Sequence, residues 1–435
     1  MDIGRVLRSK IRSIWHLGGF HVIGGNFLNK FVVFFGSILI VRFLSKTEYG
    51  ELSYIENLYN FLYILAGLGL SNAILRFVIL EEDIYGKRSV FNYMVKIAII
   101  IDVIIVLIGF VANHYYPHAD KFIVVSGLLY IMITMLPAQY FVDNNLTLER
   151  AFLDNKYFAY FNFAYAAIVI IGKCVGAYTG GVAGVVIVGV IIQYIFAIVI
   201  YGFNRKKYFP KEKKRITISK DKKKSIIVYS VQYMFTNGMW TLFMLIDIFL
   251  LGFFIKDPTI IADYKVAYAW PANISIVCSA VGMFVSPYFI KNESNREWVK
   301  TNYRKVYTLN FLAVLLISLI MCIAAKPLIF IYGGGNYYNV IPLFRAILVS
   351  SFINNGLRYM TANCLAAMGK IRANMIVSFI GLLLQILLDL YFIPKFGAYG
   401  PAYSGIIVYI MMAIVLFVVF NKKYDVLSLK DHGKR

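Results

Sequence analysis

Runs of about twenty apolar residues alternate with short polar segments along the whole chain. Twenty helical residues, each rising ~1.5 Å, cross the ~30 Å of a bilayer core, which supplies a ruler for the pattern. By that ruler the first half carries spans near residues 18–43, 52–75, 90–112, 122–147, 157–178 and 181–203. A second set falls near 226–254, 261–289, 306–325, 338–367, 373–393 and 399–421. The pattern predicts an all-α polytopic membrane protein of about 12 transmembrane helices.

Between the two sets lies a basic stretch, Asn204 to Ser225 (NRKKYFPKEKKRITISKDKKKS), which reads as a solvated linker. The expected layout is a six-helix bundle over 1–203, the linker over 204–225, a second six-helix bundle over 226–421 and a basic tail over 422–435. A shift of 215 residues superposes Tyr49 on Tyr264, Gly67 on Gly282, Ser71 on Ser286 and Ala151 on Ala366, with Glu48 meeting Asp263. At a shift of 216, Gly181-x-x-Gly184 matches Gly397-x-x-Gly400. A constant offset marks an internal repeat. Six crossings bring the chain back to its starting side, so both bundles enter the membrane in the same orientation. The expected architecture is a parallel pseudo-repeat around a central cavity.

Composition agrees, with 60% hydrophobic residues and a mean hydropathy of +0.70. The net charge of +22 would suggest nucleic acid in a soluble protein. Here most Lys and Arg fall in loops on one side, where they contact anionic membrane lipids and set orientation, so nucleic acid is set aside and both termini are expected in the cytoplasm. Arg5, Arg8, Lys10 and Arg12 precede an apolar run that leads straight into further spans, which predicts a retained first helix. Cys174, Cys278, Cys322 and Cys364 show no ligand spacing, and His114 with His118 makes an incomplete metal set, so no metal is assigned. No GxxxxGK[ST], HExxH or GxSxG motif occurs, so the chain reads as a transporter rather than an enzyme.

An ionised side chain at the bilayer centre costs ~2.5–3.5 kcal/mol on insertion scales, so charges within spans are candidates for function. Lys30, Arg42, Lys96, Arg345 and Arg358 are such cations, and Glu56, Asp102 and Asp247 are such acids. In the first span Asn26, Lys30 and Ser37 share a helical face, while Arg42 near the boundary reads as a snorkelling anchor. In the tenth, Ser351, Asn354, Asn355, Arg358 and Thr361 recur at spacings of three and four. Such polar faces equally serve helix packing, through hydrogen bonds of ~0.6 kcal/mol each. The substrate-binding candidates are Lys30, Arg358, Asn26, Asn355 and Ser351. Asp247, Glu56, Lys96, Asp102 and Arg345 are candidates for coupling or gating, and Arg345 with Asp389 also reads as a packing pair. Pro137, Pro271, Pro287 and Pro342 inside spans permit kinks.

Two segments, LSKTEYGELSYIENLYNFLYILAGLGLSNAILRF (Leu44–Phe77) and NCLAAMGKIRANMIVSFIGLLLQILLDLYFIPKFGAYGPAYSG (Asn363–Gly405), resemble Wzx-type polysaccharide flippases. That family falls within the multidrug, oligosaccharidyl-lipid and polysaccharide exporter superfamily. The resemblance implies translocation of an undecaprenyl-pyrophosphate-linked oligosaccharide to the outer leaflet of a bacterial cytoplasmic membrane, for capsule, O-antigen or exopolysaccharide. A polysaccharide polymerase and export machinery are the implied partners. No cofactor is expected beyond H+ or Na+ coupling, assigned to Asp247 and Glu56. A pyrophosphate suits Lys30 and Arg358, and sugar hydroxyls suit Asn and Ser. A cation-coupled multidrug exporter is the alternative, and a membrane polysaccharide polymerase a more distant one, because no outer loop is large.

Overall fold

The structure, a computed structural model, describes residues 19–116, 122–209 and 216–425, without the side chains of 19–27, 123 and 236. The side chain of Asn26, His118, part of the basic linker and the end of the C-terminal tail therefore lie outside the described residues. Within them every regular element is a helix. The first unit contains α1 (Gly19–Phe43), α2 (Lys46–Leu65), α3 (Leu70–Ile79), α4 (Ile84–Tyr115), α5 (Ile123–Ile133), α6 (Leu136–Ala151) and α7 (Asn155–Tyr208). Next come α8 (Lys220–Ile255), α9 (Pro258–Ala272), α10 (Ile274–Lys291), α11 (Arg296–Ile323), α12 (Ala325–Gly333), α13 (Ile341–Phe352), α14 (Tyr359–Ala367), α15 (Ile371–Phe396) and α16 (Gly400–Tyr424).

Among the described residues eight helical stretches are long and apolar enough to cross a membrane, and nine if the bent pair α5–α6 is one span. Two of them, Asn155–Tyr208 and Ile371–Tyr424, have 54 residues each. Straight helices of that length would run ~80 Å, far beyond a bilayer core. Each instead folds into two crossings at a glycine: Gly181 has φ 57° and ψ −142°, and Gly397 has φ 57° and ψ −131°. With both arms of each hairpin and α1 included, the chain makes twelve crossings. Along α4, Ile100, Ile104, Leu107 and Val111 are half-exposed at helical spacing. Such a stripe suits contact with acyl chains and not with water.

The repeat survives in atomic detail. Gly181 and Gly397 share a left-handed φ that a Cβ would oppose. Three residues on, a Cβ at Gly184 would lie 2.1 Å from the Gly176 carbonyl oxygen, and one at Gly400 would lie 2.8 Å from Ile393 Cα. Ser71 Oγ meets Thr147 Oγ1 at 3.1 Å, and at the matching place Ser286 Oγ meets Asn363 Oδ1 at 3.0 Å. Both contacts join the second and fourth spans of their halves.

Contacts divide the chain into Met1–Gly238 and Met239–Arg435, so the boundary falls inside α8 and not within 204–225. The reason is local packing. A Cβ at Gly69 would lie 2.7 Å from the Ser230 carbonyl oxygen, and one at Gly238 would meet Ile64 at 2.9 Å, which ties the first half of α8 to α2 and to the start of α3. The second unit has its core around Tyr303, Met360, Cys364, Val408, Met412 and Phe420.

Candidate functional site

In the first unit, the second span is broken where the sequence reads Ala66-Gly67-Leu68-Gly69. Gly67, Leu68 and Gly69 have φ of 50°, 47° and 75°. A break at membrane depth frees backbone N–H groups where no water is at hand, and each must find a partner. The Gly67 N–H donates to Asp102 Oδ1 at 2.7 Å and the Ser71 N–H donates to Tyr140 Oη at 2.7 Å. Asp102 is 1% exposed. Its observed work is thus to cap an unwound helix, a role the sequence reading did not foresee.

Three more polar contacts lie along the helix that leads into this break. Tyr63 donates its hydroxyl to Asp143 Oδ2. Tyr59 donates to Gln139 Oε1 at 2.8 Å. Glu56 accepts from Lys173 Nζ at 2.7 Å, and the two side chains keep 32% and 22% of their surface exposed. Glu56 is therefore neutralised within the unit by a lysine from α7. Lys30 and Lys96 are exposed, Lys30 beside Asn29, whose amide donates to the Asn162 carbonyl oxygen at 3.2 Å. Ser37 Oγ donates to the Phe34 carbonyl oxygen at 2.6 Å, a local bond on its own helix.

The second unit brings the tenth-span stripe together through a π-helical turn, Ile353–Arg358, between α13 and α14. A π turn inserts one residue and leaves a carbonyl without its usual helical donor. That carbonyl, on Asn355, accepts from Asn310 Nδ2 at 2.9 Å and from Cys278 Sγ at 3.7 Å. Asn355 in turn donates its amide to the Ser351 carbonyl oxygen at 2.9 Å. Asn355 and Ser351, buried at 4% and 8%, are thus the scaffold of the turn. Thr361, fully buried, pairs with Tyr303 Oη at 2.7 Å.

What the turn presents is Arg358. It is 6% exposed, yet no carboxylate lies within ion-pair distance among the described residues. Its Nε donates to Asn354 Oδ1 at 2.7 Å. The guanidinium lies 5.1 Å from the Trp240 ring and 5.9 Å from the Tyr409 ring. Aromatic faces stabilise a cation without cancelling its charge. Trp240, 39% exposed and stacked on Phe243, lies over this charge at the surface of the unit.

Near Arg358, Asp247 on α8 accepts from Tyr264 Oη at 2.7 Å and from Gln385 Nε2 at 3.1 Å. The same Nε2 lies 3.2 Å from Asp389 Oδ2. Two carboxylates therefore share one amide, with no Lys or Arg paired to either among the described residues. Asp389 is fully buried in this cluster and Arg345 is exposed, so the packing pair between them expected from sequence does not form.

Sequence reasoning missed Asp143, Lys173, Trp240 and Tyr409. Lys173 and Asp143 lie within predicted spans and could have been found as intramembrane charges. The aromatic cage could not, because its members come from helices far apart in sequence. One signal was available: the 215-residue shift places Asp143 on Arg358. Equivalent places in the fourth span of each half thus carry opposite charges, Asp143 held by Tyr63 and Arg358 by aromatic rings.

A chain of twelve helical crossings has the fold of a polytopic membrane protein, and comparison with known proteins gives the same fold. It is similar to the lipid II flippase MurJ in an inward closed conformation (TM-score 0.73, 14% identity, 93% of this chain and 88% of that one). It is also similar to an inward-facing multidrug resistance MATE family transporter of the MOP superfamily (TM-score 0.71, 14% identity, 91% of this chain and 96% of that one). Residues 18–293 match the family described as polysaccharide biosynthesis protein, and the chain belongs to that family. In sequence it is 22% identical to the uncharacterized membrane protein MJ1068 of Methanocaldococcus jannaschii, over 94% of this chain and 83% of that protein. The resemblance to Wzx-type flippases is borne out in family, by a match that includes Leu44–Phe77 and ends before Asn363–Gly405, and in fold.

Proposed function

We propose that the protein moves a polyprenyl-diphosphate-linked oligosaccharide from the inner to the outer leaflet of the cytoplasmic membrane, its basic loops inside, for assembly of a surface polysaccharide such as capsule or O-antigen. The observation that carries this reading is Arg358, a buried guanidinium that contacts Trp240, Tyr409 and Asn354 and has no carboxylate beside it among the described residues. A diphosphate offers the partner this cation lacks, through charge-assisted hydrogen bonds of the bidentate kind. Lys30 on α1 is a second cation proposed to meet the substrate during its passage, and the polyprenyl tail stays in lipid. Alternating exposure of these groups to the two sides of the membrane completes the cycle. Asp247 and Asp389, sharing the Gln385 amide, form a place where H+ or Na+ can bind and give the cycle direction.

The experiment is translocation of a fluorescent polyprenyl-diphosphate oligosaccharide in liposomes reconstituted with the protein, read by dithionite quenching of the outward-facing label. Lys30→Ala and Arg358→Ala should each abolish translocation while leaving insertion intact. Wild-type rates in both variants would end the site assignment. The acids Asp102, Asp143, Asp247 and Asp389 within the spans favour a second reading, a cation-coupled drug exporter. Efflux of a cationic dye in the absence of lipid-linked glycan transport would establish that reading instead.

A further inference from the structure

Where α3 ends and α8 begins, the first unit holds a cavity of about 350 Å³ lined by Arg76, Phe77, Lys224, Ser225, Tyr229 and Gln232, with Val228 between them. The α8 residues recur at i, i+4 and i+8, one face of its opening turns. Arg76 is positioned by rings: its guanidinium lies 5.0 Å from the Tyr229 centroid and 6.0 Å from that of Phe77. Neighbouring lysines are otherwise engaged. Lys222 is paired with Glu81, and Lys223 sits 5.4 Å from the Tyr93 ring, outside the cavity. Among the described residues neither Arg76 nor Lys224 has an ion-pair partner. Two uncompensated cations and the Ser225 hydroxyl thus converge on a cleft with one apolar wall.

We propose that Arg76 and Lys224 bind the phosphate of a membrane lipid. Phosphate matches the planar fork of arginine, lysine adds a point charge, and the Phe77, Val228 and Tyr229 wall receives the first carbons of a lipid chain. The cavity lies at the small end of the ~300–1,000 Å³ common for ligand clefts, which fits a phosphate head better than an oligosaccharide. The diphosphate of a polyprenyl carrier and the phosphodiester of an anionic phospholipid share this chemistry. The site is built wholly from first-unit residues and does not rest on the transport reading.

The test is native mass spectrometry of the full-length protein in detergent, titrated separately with undecaprenyl diphosphate, dioleoylphosphatidylglycerol and uncharged dioleoylglycerol. Arg76→Gln/Lys224→Gln should weaken binding of phosphate-bearing lipid about tenfold or more, as expected for lost charge-assisted bonds. Lys223→Gln should bind as wild type, and dioleoylglycerol should not respond to any change. A loss confined to undecaprenyl diphosphate assigns the site to the carrier, and a loss for both phosphate lipids assigns it to lipid phosphate in general. Undiminished binding by the double variant, or an equal loss in Lys223→Gln, overturns the proposal in favour of diffuse surface charge. Should the double variant melt early, Lys224→Glu, at an exposed position, carries the same test.

Discussion

Replacing Arg358 with methionine, a side chain of similar length without charge, separates a binding role from a structural one. Two cation–π contacts at 5.1 and 5.9 Å contribute ~0.5–2 kcal/mol each. The 2.7 Å bond to Asn354 adds ~1.5–3 kcal/mol. Against them stands the expense of holding a guanidinium within a span, ~2.5–3.5 kcal/mol on insertion scales. At mid-range, ~5 kcal/mol of contacts stands against ~3 kcal/mol of insertion expense, so Arg358→Met should lower unfolding stability by ~2 kcal/mol at most. Substrate binding offers no such offset. Losing a desolvated charge that pairs with a phosphate costs ~2–5 kcal/mol, or ~30-fold and upward in affinity. The assay pairs thermal denaturation in detergent with the liposome translocation described above, and the expected result is an only slightly lowered melting temperature with translocation down at least ~30-fold. A destabilisation of more than ~3 kcal/mol would show that the guanidinium holds the tenth span together, and full translocation by a stable variant would remove Arg358 from the substrate site.

Asp102→Ala should leave the Gly67 N–H without a partner and cost ~1–3 kcal/mol, while Asp102→Asn, which keeps an acceptor oxygen, should restore most of that stability in denaturant titrations. If the Asn variant is stable but inactive, the carboxylate serves coupling after all. Gly181→Ala and Gly397→Ala should each destabilise by ~1–2 kcal/mol through the left-handed φ they share, read as a lowered melting temperature. Unaltered melting in both would show that the hairpin torsion is not enforced. A double-mutant cycle on Glu56→Gln and Lys173→Gln should give a stability coupling below ~1 kcal/mol, since both side chains keep contact with solvent. A coupling above ~3 kcal/mol would identify a dry structural bridge. Finally, Asp389→Asn should remove any dependence of translocation on an imposed Na+ or pH gradient, and retention of that dependence would exclude the Asp247–Asp389 cluster as the coupling site.

Much of the fold was legible because a membrane span is written in consecutive residues. The break predicted between 178 and 181 falls at Gly180 and Gly181, and the offset that aligned Gly181 with Gly397 reappears as a common backbone torsion. The EYG segment shows how such a motif acts locally: Ser45 accepts from the Glu48 N–H at 3.3 Å and Glu48 Oε2 accepts from the Ser45 N–H at 2.8 Å, a capping box that starts α2. The candidate site was less legible. Periodicity correctly placed Ser351, Asn355, Arg358 and Thr361 on a face hidden from lipid, but it assumed a regular helix. It could not announce the π turn that makes Asn355 a brace and sets the buried Arg358 guanidinium against Trp240 and Tyr409.

The sequence by itself determined the number of crossings, the internal repeat and the presence of charges within the spans, because hydropathy, glycine placement and ionisable residues are properties of short stretches. Which charges are spent on structure was decided only by tertiary contacts. Glu56 is answered by Lys173 from another helix, Asp102 by a backbone N–H released at a helix break, and Asp389 by a shared amide and not by Arg345. Arg358 meets aromatic faces in place of an opposite charge among the described residues. An unsatisfied charge in a low-dielectric setting is governed by what lies within a few ångströms of it, and in a helical membrane protein those neighbours come from segments tens to hundreds of residues away.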